Sequence, residues 1–497
     1  MSSQPGLARR VAFNTVVQFV GRIAGALIAI LSTRIITHAL GVAGYGRYTS
    51  IFAYITFFGA IADFGFFWYL VREVAKDKEN TETITANVMT LRLLFALLVL
   101  IVGSIIAFAI PNYDQTVRIG IILLAASMVW VTMSNTLIGV FQANERMDYP
   151  VMNDIAGRAA TLALTWYVAS AGYGLLPIVL AALGGSFLTF VLNYILAHRY
   201  TRLRLGFDTH LWRQIMRENV SLGINVLLGI IYFKIDAVIL SALRPSLDVG
   251  IYGAPYKVIE ILLAFPAMFM GAVFPSLAQL INQDKAKTDR ILQNAFDLLA
   301  IAGWGVSVGC FMLARGIIAF TTKGDSGFLT ASTITIHGLP ITAPVVLQIL
   351  SVAVGLAFLG NFFVSTIVAQ GSQKQLIVSN IINASVNTGF NFLLIPLFTY
   401  VASAGLTIVS EIIMVIFSAT IVYRKTHFLP KLTVLIRSGL AAIIMAIGLY
   451  FIRDHVHVLI ATVLGGSLYL VALFLTGSLG KDMIRLVLSR TTIVESP

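Results

Sequence analysis

The sequence is poor in charge, poor in acid and nearly empty of cysteine. Of 497 residues only 11% are charged while 58% are apolar, with mean hydropathy +0.89; a soluble domain carries about a quarter charged residues. That excludes an ordinary water-soluble globule. The one cysteine, Cys310, lies in an apolar run, so no disulfide can form within the chain and no thiolate-built metal or haem site is available. No Gly-Lys-Ser/Thr phosphate loop is present, which argues against an ATP-driven pump. "MSSQPGLARR" lacks a small-residue cleavage site and reads as the start of an uncleaved first helix.

What is abundant is apolar sequence in runs of about 20 residues, the length that crosses a hydrocarbon core of roughly 30 Å. None alternates as a barrel strand does, so the expected fold is an all-α polytopic membrane bundle, because only helices and closed barrels satisfy their backbone groups in lipid. Breaks at Gly, Pro and charge place spans near 11–33, 46–70, 86–110, 117–142, 151–171, 176–198, 219–242, 251–281, 291–314, 344–370, 375–397, 401–423, 434–452 and 456–478. With these boundaries about 22 of the basic residues fall in one set of loops and about 7 in the other, which puts both termini in the cytoplasm. Basic residues distributed this way explain the formal +12 without nucleic acid.

The chain also echoes itself. "GVAGYGRYTSIFAYITFFGAIADFG" at 41–65 is matched by "DVGIYGAPYKVIEILLAFP" at 248–266, with Tyr252-Gly253 standing for Tyr45-Gly46. "VFQANERMDY" at 140–149 pairs with "IVAQGSQKQL" at 367–376, and the larger spacing is taken up by the external segment 316–343. The expected organisation is a six-helix lobe over 1–200, a basic connector over 201–218, a second six-helix lobe over 219–425, and two extra helices with a cytoplasmic tail over 426–497. Even-numbered copies keep one orientation, and substrate sites in such folds lie between the halves.

These segments resemble the polysaccharide-biosynthesis flippases, the Wzx-type O-antigen and exopolysaccharide transporters, relatives of MATE exporters and lipid II flippases. Fourteen spans fit this branch better than the twelve usual in MATE exporters. The resemblance implies movement of an undecaprenyl-pyrophosphate-linked oligosaccharide to the outer leaflet of the bacterial inner membrane, alongside polysaccharide polymerase and chain-length machinery. "GRIAG" at 21–25 is similar to the first-helix segment of lipid II flippases and places Arg22 where they carry a cavity arginine; a further arginine of theirs is missing here, where Leu27 and Ile28 stand. The implied two-helix extension shapes a groove for the polyprenyl tail, or simply stabilises its lobe.

A diphosphate-sugar headgroup cannot cross lipid unaided, since each unpaired hydroxyl costs about 4–8 kcal/mol in hydrocarbon. Intramembrane ionisable residues are therefore the candidate substrate cavity: Arg22, Asp63, Lys234, Asp236 and Lys257. Arg22 leads, being central in its span and able to pair two oxygens at once; a structural ion pair with Asp63 or Asp236 is the alternative. Lys234 and Asp236, two apart, point to different helix faces. Lys257 and Glu260 share a face and allow an internal salt bridge. Arg34 and Arg47 flank the first external loop and are candidates for the exit. Glu260, Asp297 and Glu411 are candidates for coupling to H+ or Na+, with capping or pairing inside a lobe as the plainer reading. Arg92 and Arg158 are expected to snorkel to headgroups. Asn380, Asn383, Asn387 and Asn391 make one polar stripe, for interhelical hydrogen bonds or sugar contact. Pro255 suits a first helical turn; Pro266 and Pro275 are expected to kink their helix. No other cofactor and no catalytic residue is expected. The rivals are a drug or lipid exporter of the same superfamily and a membrane polymerase or ligase, the latter disfavoured because the longest external loop offers only Arg315, Lys323, Asp325 and His337.

Overall fold

The computed structural model describes residues 5–478 apart from 203 and 282. In chain order its elements are α1 (Pro5–Asp63), α2 (Phe66–Lys76), α3 (Thr81–Ala109), α4 (Gln115–Ala143), α5 (Asp148–Ser170), α6 (Leu175–Ala197), α7 (Thr209–Leu243), α8 (Ser246–Leu262), α9 (Ala264–Leu280), α10 (Lys285–Met312), α11 (Ala314–Thr321), α12 (Ser326–Thr330), β1 (Thr335–Ile336), β2 (Leu339–Pro340), α13 (Ala343–Ala369), α14 (Gln373–Thr426), α15 (Thr433–Ile452) and α16 (Val458–Leu475). The molecule is a polytopic helical membrane protein. Two of the long helices are interrupted, α1 at Gly41 (φ 63°) and α14 at Thr399 (φ 52°). Counting each as two, and α8 with α9 as one broken span, fourteen membrane-length helices occur among the described residues, one for every expected span. The tail 480–490, expected on the cytoplasmic surface, lies outside the described residues.

Apolar composition makes the helices, and short acidic side chains start several of them. Asp114 accepts from the Val117 N–H (2.9 Å), Asp208 from those of His210 and Leu211 (2.9 and 3.0 Å), and Asp284 from that of Lys287 (3.0 Å), each satisfying donors a helix start leaves open. Segment 316–343, read from sequence as a loop, contains α12 and a small hairpin. His337 and Gly338 turn it with φ of 49° and 79°, the positive pair a two-residue hairpin needs.

One proline falls differently from expectation. α8 begins at Ser246, so Pro255 stands in its interior rather than its first turn. The eighth span breaks at Leu263, and Pro266 occupies the first turn of α9, where no backbone N–H is needed; Pro275 alone lies deep inside that helix. The break falls where Pro266 has no N–H to give the Leu262 carbonyl four residues back, so this proline interrupts the span as expected.

The chain forms two compact units, Met1–Ala254 with Thr321–Ala343 and Asn380–Leu406, and Pro255–Phe320 with Pro344–Ser379 and Thr407–Pro497. In the first, Ile51, Tyr54, Tyr113, Val117, Ile121 and Val179 centre one apolar cluster of α1, α4 and α6, and Phe66, Leu70, Val88 and Ile215 centre another. In the second, α15 and α16 pack on α10 through Met445, Leu449, Tyr469 and Leu473, with the Tyr469 hydroxyl donating to the Ile301 carbonyl at 2.8 Å.

Candidate functional site

The repeated Gly-Tyr motif explains itself inside the first unit. A side chain at Gly46 would overlap the Ser246 carbonyl, and one at Gly250 would overlap the Val42 carbonyl. The two copies thus meet backbone to backbone at the start of α8, an approach only glycine permits. Tyr45 stacks with Tyr48 and meets Phe328 edge-on, while its counterpart Tyr252 donates its hydroxyl to the Asp236 carboxylate. Asp236 also accepts from the Ala237 N–H at 2.8 Å and is 4% exposed.

The carboxylate of Asp63 stands where the second span breaks. α1 ends there, Phe64 and Gly65 both take positive φ (38° and 78°), and α2 resumes at Phe66. Helix ends leave backbone groups without partners, and here side chains supply them: Asn219 of α7 donates to the Phe64 carbonyl at 2.5 Å. Asp63 itself receives Arg92 from α3, a guanidinium only 1% exposed. This corrects the snorkelling reading of Arg92. The residue faces inward on α3, which also buries Thr85, Asn87 and Thr90, and the partly exposed carboxylate of Asp63 neutralises it. Among the described residues its Nε and Nη1 meet no hydrogen-bond partner.

Arg22 is exposed on α1, beside Gly21 and Gly25, which pack on Val151 and Arg158 of α5. The two carboxylates weighed as its partners bond elsewhere, Asp63 to Arg92 and Asp236 to Tyr252. Arg158 pairs with Asp154 one turn away at 2.7 Å, so an ion pair accompanies whatever snorkelling it does. Lys234 is half-buried on α7. Arg34 and Arg47, expected to flank a loop, both lie in α1 on either side of its Gly41 kink; Arg47 pairs with Asp114 at 2.6 Å, and Arg34 is half-buried.

In the second unit, Lys257 and Glu260 form the internal salt bridge at 2.7 Å. Asp297 is buried and accepts from Gln293 at 2.7 Å, and Gln293 in turn bonds both the carbonyl and the N–H of Lys431. Glu411 is buried, with its Oε2 on the Gly360 side of α13. The asparagine stripe belongs to the first unit: Asn383, Asn387 and Asn391 are buried, and Asn391 donates to both Asn387 oxygens at 2.7–2.8 Å.

Sequence reasoning missed three features. Arg92 and Tyr252 are the partners of the two carboxylates it singled out; the polar run Thr85, Asn87, Thr90 around the first and the repeated Tyr-Gly of the second were the available signals. A buried chain, Asn153 to Asn193 (2.8 Å) to Ser134 (2.9 Å), ties α5, α6 and α4. Outside the spans, Arg146 grips Asp148 through two bonds (3.0 and 2.9 Å) while lying over the Tyr149 ring. That bond holds the Asp148 carboxyl below its usual range and raises the guanidinium further.

Residues 7–281 match the profile of the polysaccharide biosynthesis protein family, more than half of the chain. The chain belongs to that family. No curated protein sequence matches it. Among solved structures it is similar to the lipid II flippase MurJ in an inward closed conformation, with a TM-score of 0.74, 15% identity, and coverage of 95% of this chain and 100% of that one. A multidrug resistance MATE transporter of the MOP superfamily, inward-facing, gives 0.62 and 13%, covering 82% and 98%. A MOP-superfamily transporter from Pyrococcus furiosus gives 0.60 and 13%, covering 90% and 99%. This family member therefore has the fold those proteins share.

Proposed function

We propose that this protein moves an undecaprenyl-pyrophosphate-linked oligosaccharide from the cytoplasmic to the outer leaflet of the bacterial inner membrane by alternating access, without catalysing a covalent step. The observation that carries the reading is the joint one: membership of a polysaccharide biosynthesis family, with a fold that spans the whole of a lipid II flippase. The division into lobes 1–200 and 219–425, cytoplasmic termini, and work alongside a polymerase and chain-length machinery belong to the same proposal. A drug or lipid exporter is the second reading, favoured by the similarity to MATE structures, which leave more of this chain uncovered.

Arg22 is the residue we assign to the diphosphate. It is exposed on a membrane-length helix and, among the described residues, no hydrogen bond or ion pair engages it. A guanidinium in that condition costs free energy unless water or an anion meets it. Lys234 and Lys257 add positive charge, the latter paired with Glu260, and Asp297 and Glu411, both buried, are the carboxylates assigned to a coupling ion. An inside-negative potential adds about 2.3 kcal/mol per charge per 100 mV to export of the headgroup.

Lipids extracted from a deletion strain test the reading: a lipid-linked oligosaccharide accumulates on the cytoplasmic side, whereas unchanged glycan with altered drug sensitivity selects the exporter. Arg22→Ala is expected to lower glycan export at least tenfold with the protein still inserted, and Arg22→Lys to restore part of it. Full export by the alanine variant removes Arg22 from the site.

A further inference from the structure

The connector between α6 and α7 is fastened to the bundle and turns apolar and cationic groups outward. Its backbone is bonded to α3. The Gly206 N–H donates to Thr90 Oγ1 (3.0 Å) and the Ala86 carbonyl (3.3 Å), and the Asp208 N–H donates to Asn87 Oδ1 (3.0 Å). Trp212 Nε1 reaches the same Asn87 oxygen at 3.0 Å. Held this way, Leu205 and Phe207 are 54% and 70% exposed.

The same stretch of chain, from the end of α6 into the first turns of α7, carries Arg199, Arg202, Arg204, Arg213 and Arg217, all exposed. Arg204 pairs with Glu82 at 3.3 Å, but among the described residues no carboxylate pairs with the other four. The only acid in 198–217 is Asp208, and its carboxylate is occupied in starting α7.

Depth follows from helix length. The 29 residues of α3 extend about 43 Å at 1.5 Å per residue, against a hydrocarbon core of roughly 30 Å. Asn87, six residues in from Thr81, is about 9 Å from that end, close to the boundary between acyl chains and headgroups. Phe207 lies between the two residues bonded there, Gly206 and Asp208.

We propose that this connector is a docking surface for anionic phospholipids of its own leaflet. The unpaired guanidinium groups take the lipid phosphates, and Leu205 and Phe207 insert between the acyl chains. A planar fork pairs two phosphate oxygens, and clustered basic residues with apolar side chains at the interface bind acidic membranes. The clamp reaches further into the fold. α7 carries Glu218, which pairs with Arg72 of α2 at 2.7 Å, and Asn219, which bonds the Phe64 carbonyl at the break of the second span. Lipid charge at the connector is thereby tied mechanically to that break. The inference requires only that the chain sits in a membrane, whatever its cargo.

Diazirine-bearing phosphatidylglycerol and phosphatidylcholine of the same acyl chain, in vesicles holding the full chain, test it by mapping of labelled peptides. Phosphatidylglycerol is expected to label 198–217 about fivefold more than phosphatidylcholine, the weight of one basic residue near an anionic surface. Arg199→Gln, Arg202→Gln, Arg213→Gln and Arg217→Gln together bring the ratio to one, with labelling of α16 unchanged as the control for insertion. If that variant does not insert, 0.5 M salt on the parent protein must lower the ratio in its place. Equal labelling by both lipids in the parent overturns the proposal. So does a preference that survives the variant or the salt, or binding of polyprenyl diphosphate alone.

Discussion

The second and eighth spans begin with the same Tyr-Gly motif and both break part-way, yet they break by different physics. In the second, Phe64 and Gly65 take left-handed backbone, and the exposed groups are met by Arg92 on Asp63 and by Asn219 on the Phe64 carbonyl. In the eighth, Leu263 keeps right-handed geometry and a hydrogen bond to the Ile259 carbonyl at 2.9 Å, and no charge stands at the turn. A break that reverses the backbone inside a membrane opens polar groups and has to recruit side chains from α3 and α7; a break that only slackens the helix does not.

The comparison fails most visibly at its charge. Arg92→Leu leaves the Asp63 carboxylate without its partner and is expected to cost about 3 kcal/mol, read as lowered thermal stability in detergent. Asp63→Leu with Arg92→Leu should recover most of that loss, and a double variant no better than the single would dissolve the pairing. Next comes the backbone. Gly65→Ala forces a side chain to φ 78° and to within 3.0 Å of the Gly223 nitrogen, costing roughly 1–3 kcal/mol. Leu263→Ala, at the other break, should cost less in the same assay; the reverse order would show that the two breaks are held alike. The smallest effect lies outside the spans. Because Arg146 holds Asp148 below the usual carboxylate range, its contribution is present above about pH 4 and is lost as pH falls through the lowered value. Asp148→Asn should flatten that acid limb slightly, both groups being partly exposed.

Much of this fold was legible from residues in order. Every expected span meets a helix because apolar length alone decides whether a segment crosses lipid, and the Tyr-Gly echo marked the place where the two copies touch. Pro255 misled because a proline's effect depends on where its helix starts, and α8 starts at Ser246, whereas Pro266 stands beside the break it was expected to cause. The candidate site was half legible. Asp63, Asp236 and Arg22 stood out as charges in apolar runs, but Arg92 looked like a headgroup anchor because two turns from a helix end permits snorkelling, and only the approach of Asp63 draws it inward.

The sequence by itself determined that the chain is a polytopic helical membrane protein, because hydrophobic run length and residue type are local quantities that lipid reads directly. Only the tertiary structure decided which charges are spoken for. Arg92 to Asp63, Tyr252 to Asp236 and Asn219 to the Phe64 carbonyl join residues 29, 16 and 155 positions apart. Partnership between distant side chains depends on how helices pack, and no run of neighbouring residues records it.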